Sequence, residues 1–176
     1  PTIGPERAFQ KRQTRSMKHA TQLLLDISSK PNYSKEDFVE SPCNWEASQW
    51  VQRWPDWPMK MIAIYGEPGC GKTHLAHIWQ QRSKARFLKP TDTLNLKPHE
   101  VIENVQAFVL DDADTPLTRE GHVRGIEDEW LFHFYNLVRE KGADLLICCR
   151  QPPTQWTITL PDLRSRLSTI LSVAVN

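Results

Sequence analysis

The chain has 176 residues, with 22 Lys and Arg against 21 Asp and Glu, leaving a net charge of +1. That length holds one α/β domain with a proper core, and the balanced charge with an ordinary apolar share excludes global disorder and a strongly polyanion-seeking surface. No apolar run is long enough to span a bilayer, and the basic N-terminus lacks the apolar core and cleavage site of a secretory signal, so a cytoplasmic location and no membrane partner are expected.

Residues 1–36 read as a flexible basic tail and linker. In that stretch Arg7, Lys11, Arg12, Arg15 and Lys18 stand against Glu6. A solvated terminus is the first reading and weak DNA contact the alternative. Gln22-Leu23-Leu24-Leu25-Asp26-Ile27 is an apolar island ahead of a Ser/Lys/Pro/Asn linker. By itself it is either a docking peptide or an N-terminal packing strand. The folded domain is expected from Asp37 to Asn176. Asn44 predicts the N-cap of a helix through Arg53, with Glu46 favourable in its first turn. Trp54-Pro55-Asp56-Trp57-Pro58 ends that helix.

Lys60 to Tyr65 is a short apolar run suited to a buried strand. Gly66-Glu67-Pro68-Gly69-Cys70-Gly71-Lys72-Thr73 follows, in the pattern G-x-x-x-x-G-K-[ST]. His74 and the residues after it continue as a helix with Leu75, Ile78 and Trp79 on one face. Strand, glycine loop and helix together are the context a phosphate-binding P-loop needs. Glycines let the backbone curl so that N–H groups converge on phosphate, and the helix N-terminus adds a positive dipole end. Lys72 would neutralise charge on the β- and γ-phosphates and Thr73 would ligate Mg²⁺. Residues 66–74 are therefore the candidate site for ATP or ADP.

Arg86-Phe87-Leu88 predicts a second strand, Pro98 to Val105 a short helix and Gln106 to Asp111 a third strand. The third strand delivers Asp111 and Asp112 at its C-terminal end, where ligands sit in parallel sheets. Asp111 is expected to hold Mg²⁺, directly or through water. Asp112 is expected to orient or deprotonate an attacking water. Asp114 stands nearby with no assigned role. Ile126 to Lys141 predicts the clearest amphipathic helix, with Ile126, Trp130, Leu131, Phe134, Leu137 and Val138 in one stripe and Gly142 as its stop. Asp144 to Cys149 predicts a fourth strand, Pro161 to Leu167 a short helix and Thr169 to Val175 a fifth strand. This alternation implies a parallel five-stranded sheet covered by helices on both faces. The spacing of Cys43, Cys70, Cys148 and Cys149 fits no zinc site, and reduced thiols are expected.

Taken together, these segments resemble the DnaA/Hda family of AAA+ domains. The resemblance is carried by Asp37 to Asn44, Gly66 to Ala76, Leu110 to Ala113, Gln151-Pro152-Pro153, and Leu160-Pro161-Asp162-Leu163-Arg164-Ser165-Arg166-Leu167. That last segment is more similar to the Hda-type regulatory branch than to the initiators. The resemblance implies an adenine pocket lined by Val39 to Asn44 and an arginine finger at Arg166. It also implies clamp docking through Gln22, Leu23, Leu25 and Ile27. On that reading the partners are the polymerase sliding clamp and a DnaA-type initiator, whose ATP hydrolysis Arg166 promotes in trans. Three departures stand out. The sequence stops at Asn176, before the family's helical lid, which makes own ATP turnover doubtful. Arg150 occupies the polar sensor position, where an acid or amide is usual. Glu40-Ser41-Pro42-Cys43 replaces small neutral residues in the adenine pocket. No helix-turn-helix follows, so no sequence-specific origin binding is expected. The alternatives are a replication ATPase in its own right, initiator-like or helicase-loader-like, a small-molecule P-loop kinase, and an interaction module with an unused P-loop.

Overall fold

β-branched and other apolar runs separated by amphipathic helices fold here into one layer of strands between two layers of helix. The structure is a computed structural model. It describes residues 39–115, 117–119 and 122–176, with backbone alone for 117–119 and 122–124. In chain order the main elements are α1 (Trp45–Arg53), β1 (Met61–Tyr65), α2 (Lys72–Ser83), β2 (Arg86–Leu88), α3 (Pro98–Ile102) and β3 (Ala107–Leu110). A hairpin of β4 (Leu117–Arg119) and β5 (His122–Arg124) follows. The chain continues through α4 (Asp128–Lys141), β6 (Asp144–Cys149), α5 (Pro161–Leu167) and β7 (Leu171–Ala174).

The main sheet has five parallel strands in the order β2-β3-β6-β1-β7. Successive side chains of a strand point to opposite faces, and burial follows that rule. Ala63, Phe108, Leu110, Leu145, Ile147 and Cys149 face a core closed by α3, α4 and α5. Ile62, Ile64, Val109, Leu146, Cys148 and Val173 face a second core closed by α1 and α2. Strands buried on both faces read as continuous apolar runs, which is why they were visible in the sequence. Each fully buried large side chain stabilises the fold by about 1.5–3 kcal/mol relative to exposure.

The order of strands sets the site. β6 lies between β1, which leads into the glycine loop, and β3, which leads into Asp111. Tyr65 pairs with Cys149 and Leu110 with Ile147, so both loops leave the same edge of the sheet. The helix across that edge, α2, begins at Lys72, where Gly71 adopts φ 100°. Only glycine takes such a backbone at no steric cost.

Four local expectations are corrected. Asn44 occupies the N-cap position of α1, but its side chain does not cap the helix. It turns back instead: its Oδ1 accepts from the Ser41 N–H at 2.9 Å and its Nδ2 donates to the Val39 carbonyl at 3.0 Å. A buried amide with two main-chain partners on one side has fewer groups left for the helix. Second, the helix from Pro98 ends at Ile102 rather than Val105, because Glu103 leaves helical geometry with ψ 129°. Third, Ile126 belongs to the core but precedes α4, which starts at Asp128. Tyr135 completes the buried stripe with Leu131, Phe134 and Val138. Fourth, the hairpin and the 3₁₀ turn Pro90–Leu94 were not anticipated. Three-residue strands and single turns are too short to carry a period.

Candidate nucleotide-binding site

The glycine loop is held by its neighbours. The Gly66 N–H donates to the Cys149 carbonyl at 3.2 Å, and the Val175 N–H donates to the Tyr65 carbonyl at 2.7 Å. A Cβ on Gly66 would collide with the Val175 carbonyl oxygen, so the close approach of β7 demands glycine at this position. Gly69 has open space around it, but its φ of 84° is itself a glycine conformation. Lys72 is buried, and its ammonium donates to the carbonyls of Gly66 and Glu67 at 2.8 Å each and lies 3.5 Å from the Cys70 Sγ. The positive charge is thereby fixed inside the loop rather than free at the surface. His74 is half-buried in the first turn of α2.

Thr73 and Asp111 meet. The Thr73 Oγ1 donates to the Asp111 carboxylate, 3.2 Å from Oδ1 and 3.1 Å from Oδ2. Asp111 is 2% exposed, and its backbone N–H donates to the Leu88 carbonyl at 2.9 Å. Burial, then the charge of Asp112, raise its carboxyl above the ordinary value, while the Thr73 hydroxyl and Lys89 pull it down. A buried carboxylate is costly without a compensating cation. A hydroxyl and a carboxylate are hard oxygen donors, and Mg²⁺ takes one or two such protein ligands with phosphate oxygens and water completing its shell. Thr73 and Asp111 therefore fit a Mg²⁺ ion. No group of three or more His, Cys, Asp or Glu among the described residues is arranged to hold a metal alone.

Asp112 is exposed and adopts φ 54°, a left-handed backbone that is uncommon away from glycine. Asp114 accepts from the Arg150 N–H on both carboxylate oxygens and from the Gln151 N–H, each at 2.9 Å. Sequence reasoning left Asp114 without a role, because its partners lie 36 and 37 residues away and have no local signature. Arg150 follows β6 directly; its side chain is exposed. Cys148 and Cys149 sit beneath the loop on opposite faces of β6, and burial pushes both thiols up.

The Val39 to Asn44 segment lies at the same edge. The Asn176 N–H, just beyond β7, donates to the Cys43 carbonyl at 2.9 Å, while Val175 abuts Gly66. Glu40 is engaged with α1, accepting from the Ser48 Oγ at 2.5 Å and the Gln52 Nε2 at 2.7 Å. Arg166 lies elsewhere, on α5. Its Nη1 donates to the Asn136 Oδ1 at 2.7 Å, and its guanidinium carbon stands 5.2 Å from the Phe132 ring centre and 6.0 Å from that of Tyr135. The structure thus brings Gly66 to Thr73 together with Asp111, and seats Arg166 against α4. Gln22, Leu23, Leu25 and Ile27 lie outside the described residues.

No family model matches the chain. The chromosomal replication initiator protein DnaA of Borreliella afzelii is 27% identical over 168 residues, which cover 84% of this chain and 34% of that protein. The chain thus spans about a third of the length of the curated relatives it matches. Domain III of the Thermotoga maritima replication initiation protein DnaA superposes with a TM-score of 0.63 at 23% identity, over 84% of this chain and 68% of that one. A replication initiator DnaA bound to AMPPCP and single-stranded DNA gives a TM-score of 0.66 at 21% identity, over 84% and 50%. Among the described residues no helix is long and apolar enough to cross a membrane. In its P-loop pattern, its parallel sheet order and these sequence and fold similarities, the chain resembles the AAA+ domain of DnaA-type initiators.

Proposed function

We propose that the chain binds ATP or ADP with Mg²⁺ and works in the initiation of DNA replication, as an initiator-like AAA+ module of the cytoplasm. One observation carries this reading: the Thr73 hydroxyl rests on the buried Asp111 carboxylate, one residue from an ammonium fixed inside the glycine loop. Main-chain N–H groups of residues 66–74 would take the phosphates, with Lys72 as the charge partner. Thr73 and Asp111 would hold Mg²⁺, which would neutralise phosphate charge. Asp112 stands ready beside them to orient water. Lys72→Ala is expected to weaken binding of a fluorescent ATP analogue by about 100-fold or more, consistent with loss of a desolvated charge pair of some 3 kcal/mol. Unchanged affinity in that variant would place the nucleotide elsewhere.

The finer reading is a clamp-docked regulator that promotes ATP hydrolysis by a DnaA-type initiator through Arg166. It is supported by the sequence from Leu160 to Leu167 and by the peptide Gln22 to Ile27, whose Leu25 and Ile27 would fill apolar pockets while Gln22 hydrogen-bonds. A half-buried guanidinium on α5, seated on a neutral amide and two rings, also suits a group that acts on a neighbour's phosphate. Binding to the isolated sliding clamp, with and without residues 22–27, separates this reading from a plain initiator-like module. The basic stretch Arg7 to Lys18 is the candidate for weak DNA contact.

A further inference from the structure

The acids after β3 belong to a loop whose shape the local sequence does not dictate. Asp112 has φ 54°, and a non-glycine residue in that region costs about 1 kcal/mol or more unless its surroundings over-determine it. Three contacts do so. The Thr115 N–H closes the turn onto the Asp112 carbonyl at 2.8 Å. The Ala113 N–H donates to the Cys148 carbonyl of β6 at 2.9 Å. The Asp114 carboxylate then takes the N–H groups of Arg150 and Gln151, the two residues that leave β6. The last contact has a charge on one side and two main-chain donors on the other, which makes it the strongest of the three. Its partners adjoin Cys149, whose carbonyl receives the Gly66 N–H. A continuous path therefore runs from Asp114 through the end of β6 to the first residue of the glycine loop.

We propose that Asp114 is a positioning residue for the metal-bound nucleotide. It latches the loop bearing Asp111 and Asp112 to the end of β6, and so fixes the separation of those acids from the glycine loop. The proposal rests on the nucleotide and Mg²⁺ reading above. It assigns Asp114 no contact with nucleotide or metal. Its effect is confined to the geometry in which Asp111 meets Thr73, so it acts on metal-dependent binding and leaves the contribution of the glycine loop alone.

The test measures affinity of the full chain for a fluorescent ATP analogue, once with Mg²⁺ and once with EDTA. In the unaltered chain Mg²⁺ is expected to tighten binding. Asp114→Ala should leave the EDTA affinity unchanged and reduce the gain from Mg²⁺ by about tenfold, the lower end of the cost of removing a residue that orients a metal ligand. Asp114→Asn keeps an amide oxygen where Oδ2 receives both N–H groups and should restore most of the gain. That rescue distinguishes positioning from charge, because the asparagine carries none. A gain retained in full by Asp114→Ala overturns the latch. So does an equal loss in the Ala and Asn variants. An unaltered chain that binds nucleotide with no gain from Mg²⁺ overturns the metal reading and the latch together, whereas Lys72→Ala reports on the glycine loop alone.

Discussion

The two faces of the sheet bury similar apolar cores, but the cations Lys72 and Arg166, one on each, are anchored in different ways. On the α1 and α2 side, Lys72 and Arg82 bond to main chain. Lys72 donates to Gly66 and Glu67. Arg82 donates to the carbonyls of Val51, Gln52 and Trp54 at 3.3, 3.0 and 2.9 Å, closing the C-terminal end of α1. On the α4 and α5 side, Arg166 leans on a side-chain amide and two rings. Main-chain carbonyls are where the fold puts them, so the first kind of anchor is as rigid as the sheet. The second depends on rotamers that can turn. Under the proposed function, the first kind of anchor would keep Lys72 in place for a phosphate, and the second would let Arg166 turn toward a neighbour.

The cores beneath these anchors should resist damage equally. Trp79 is fully buried, 5.1 Å from the Trp57 ring in a stacked arrangement and 6.1 Å from Trp54 edge-on. Phe134 is fully buried on the other side, edge-on to Phe108 at 5.5 Å and stacked on Trp130 at 5.1 Å. Trp79→Ala and Phe134→Ala should each cost about 3–5 kcal/mol in denaturant unfolding. They should differ in function: Trp79→Ala loosens the helix that begins at Lys72 and should weaken nucleotide binding in the folded fraction, while Phe134→Ala should not. Equal effects on binding would mean that the two faces are not mechanically separate.

A smaller effect concerns the buried acid Asp111. The Asp111 carboxyl is raised in the folded state, so the folded chain holds that proton more tightly than the unfolded one. The resulting stability is fully present below the ordinary aspartate value and is lost as pH rises through the raised one. Asp111→Asn should therefore melt higher than the unaltered chain near neutral pH, a shift of a few degrees at most in a domain of this size. The advantage should shrink toward acid pH. The same variant should lose the Mg²⁺ gain in nucleotide affinity. A variant that melts lower at every pH would show that the Thr73 bond outweighs the burial cost.

What the sequence disclosed is what a contiguous segment carries. The glycine loop, the strand before it and the acids after β3 were legible because each is a short contiguous pattern with its own physics: φ at Gly71, apolar burial on both faces, a carboxylate at a strand end. Strand β6 and helix α5 were placed at their observed bounds for the same reason. The clasp of Asp114 on Arg150 and Gln151, the seat of Arg166 on Asn136, and the collision that reserves Gly66 for glycine were not legible. Each joins residues 30 or more positions apart through groups that any neighbourhood might carry. The Asn44 cap failed differently. Its residue type was right, but a competing set of main-chain partners behind the helix took its side chain.

The smallest predicted effect bears on the seat of Arg166. The Arg166 seat has one hydrogen bond to a neutral amide and two ring contacts, one to the partly exposed Phe132 and one to the buried Tyr135, a sum of roughly 1–2 kcal/mol before the entropy of ordering the side chain is subtracted. Asn136→Ala should thus cost less than about 1 kcal/mol of stability and leave nucleotide affinity unchanged. Arg166→Ala should do the same, while abolishing any stimulation of an initiator's ATP hydrolysis. The pair discriminates between two uses of the same guanidinium. If Asn136→Ala preserves stimulation, Arg166 finds its working position on the partner, and the amide is only a resting place. If Asn136→Ala removes stimulation as fully as Arg166→Ala does, the orientation set by α4 is part of the function. A stability loss above about 2 kcal/mol in either variant would instead make Arg166 a strut between α4 and α5 and remove the reason to assign it to a neighbour's phosphate.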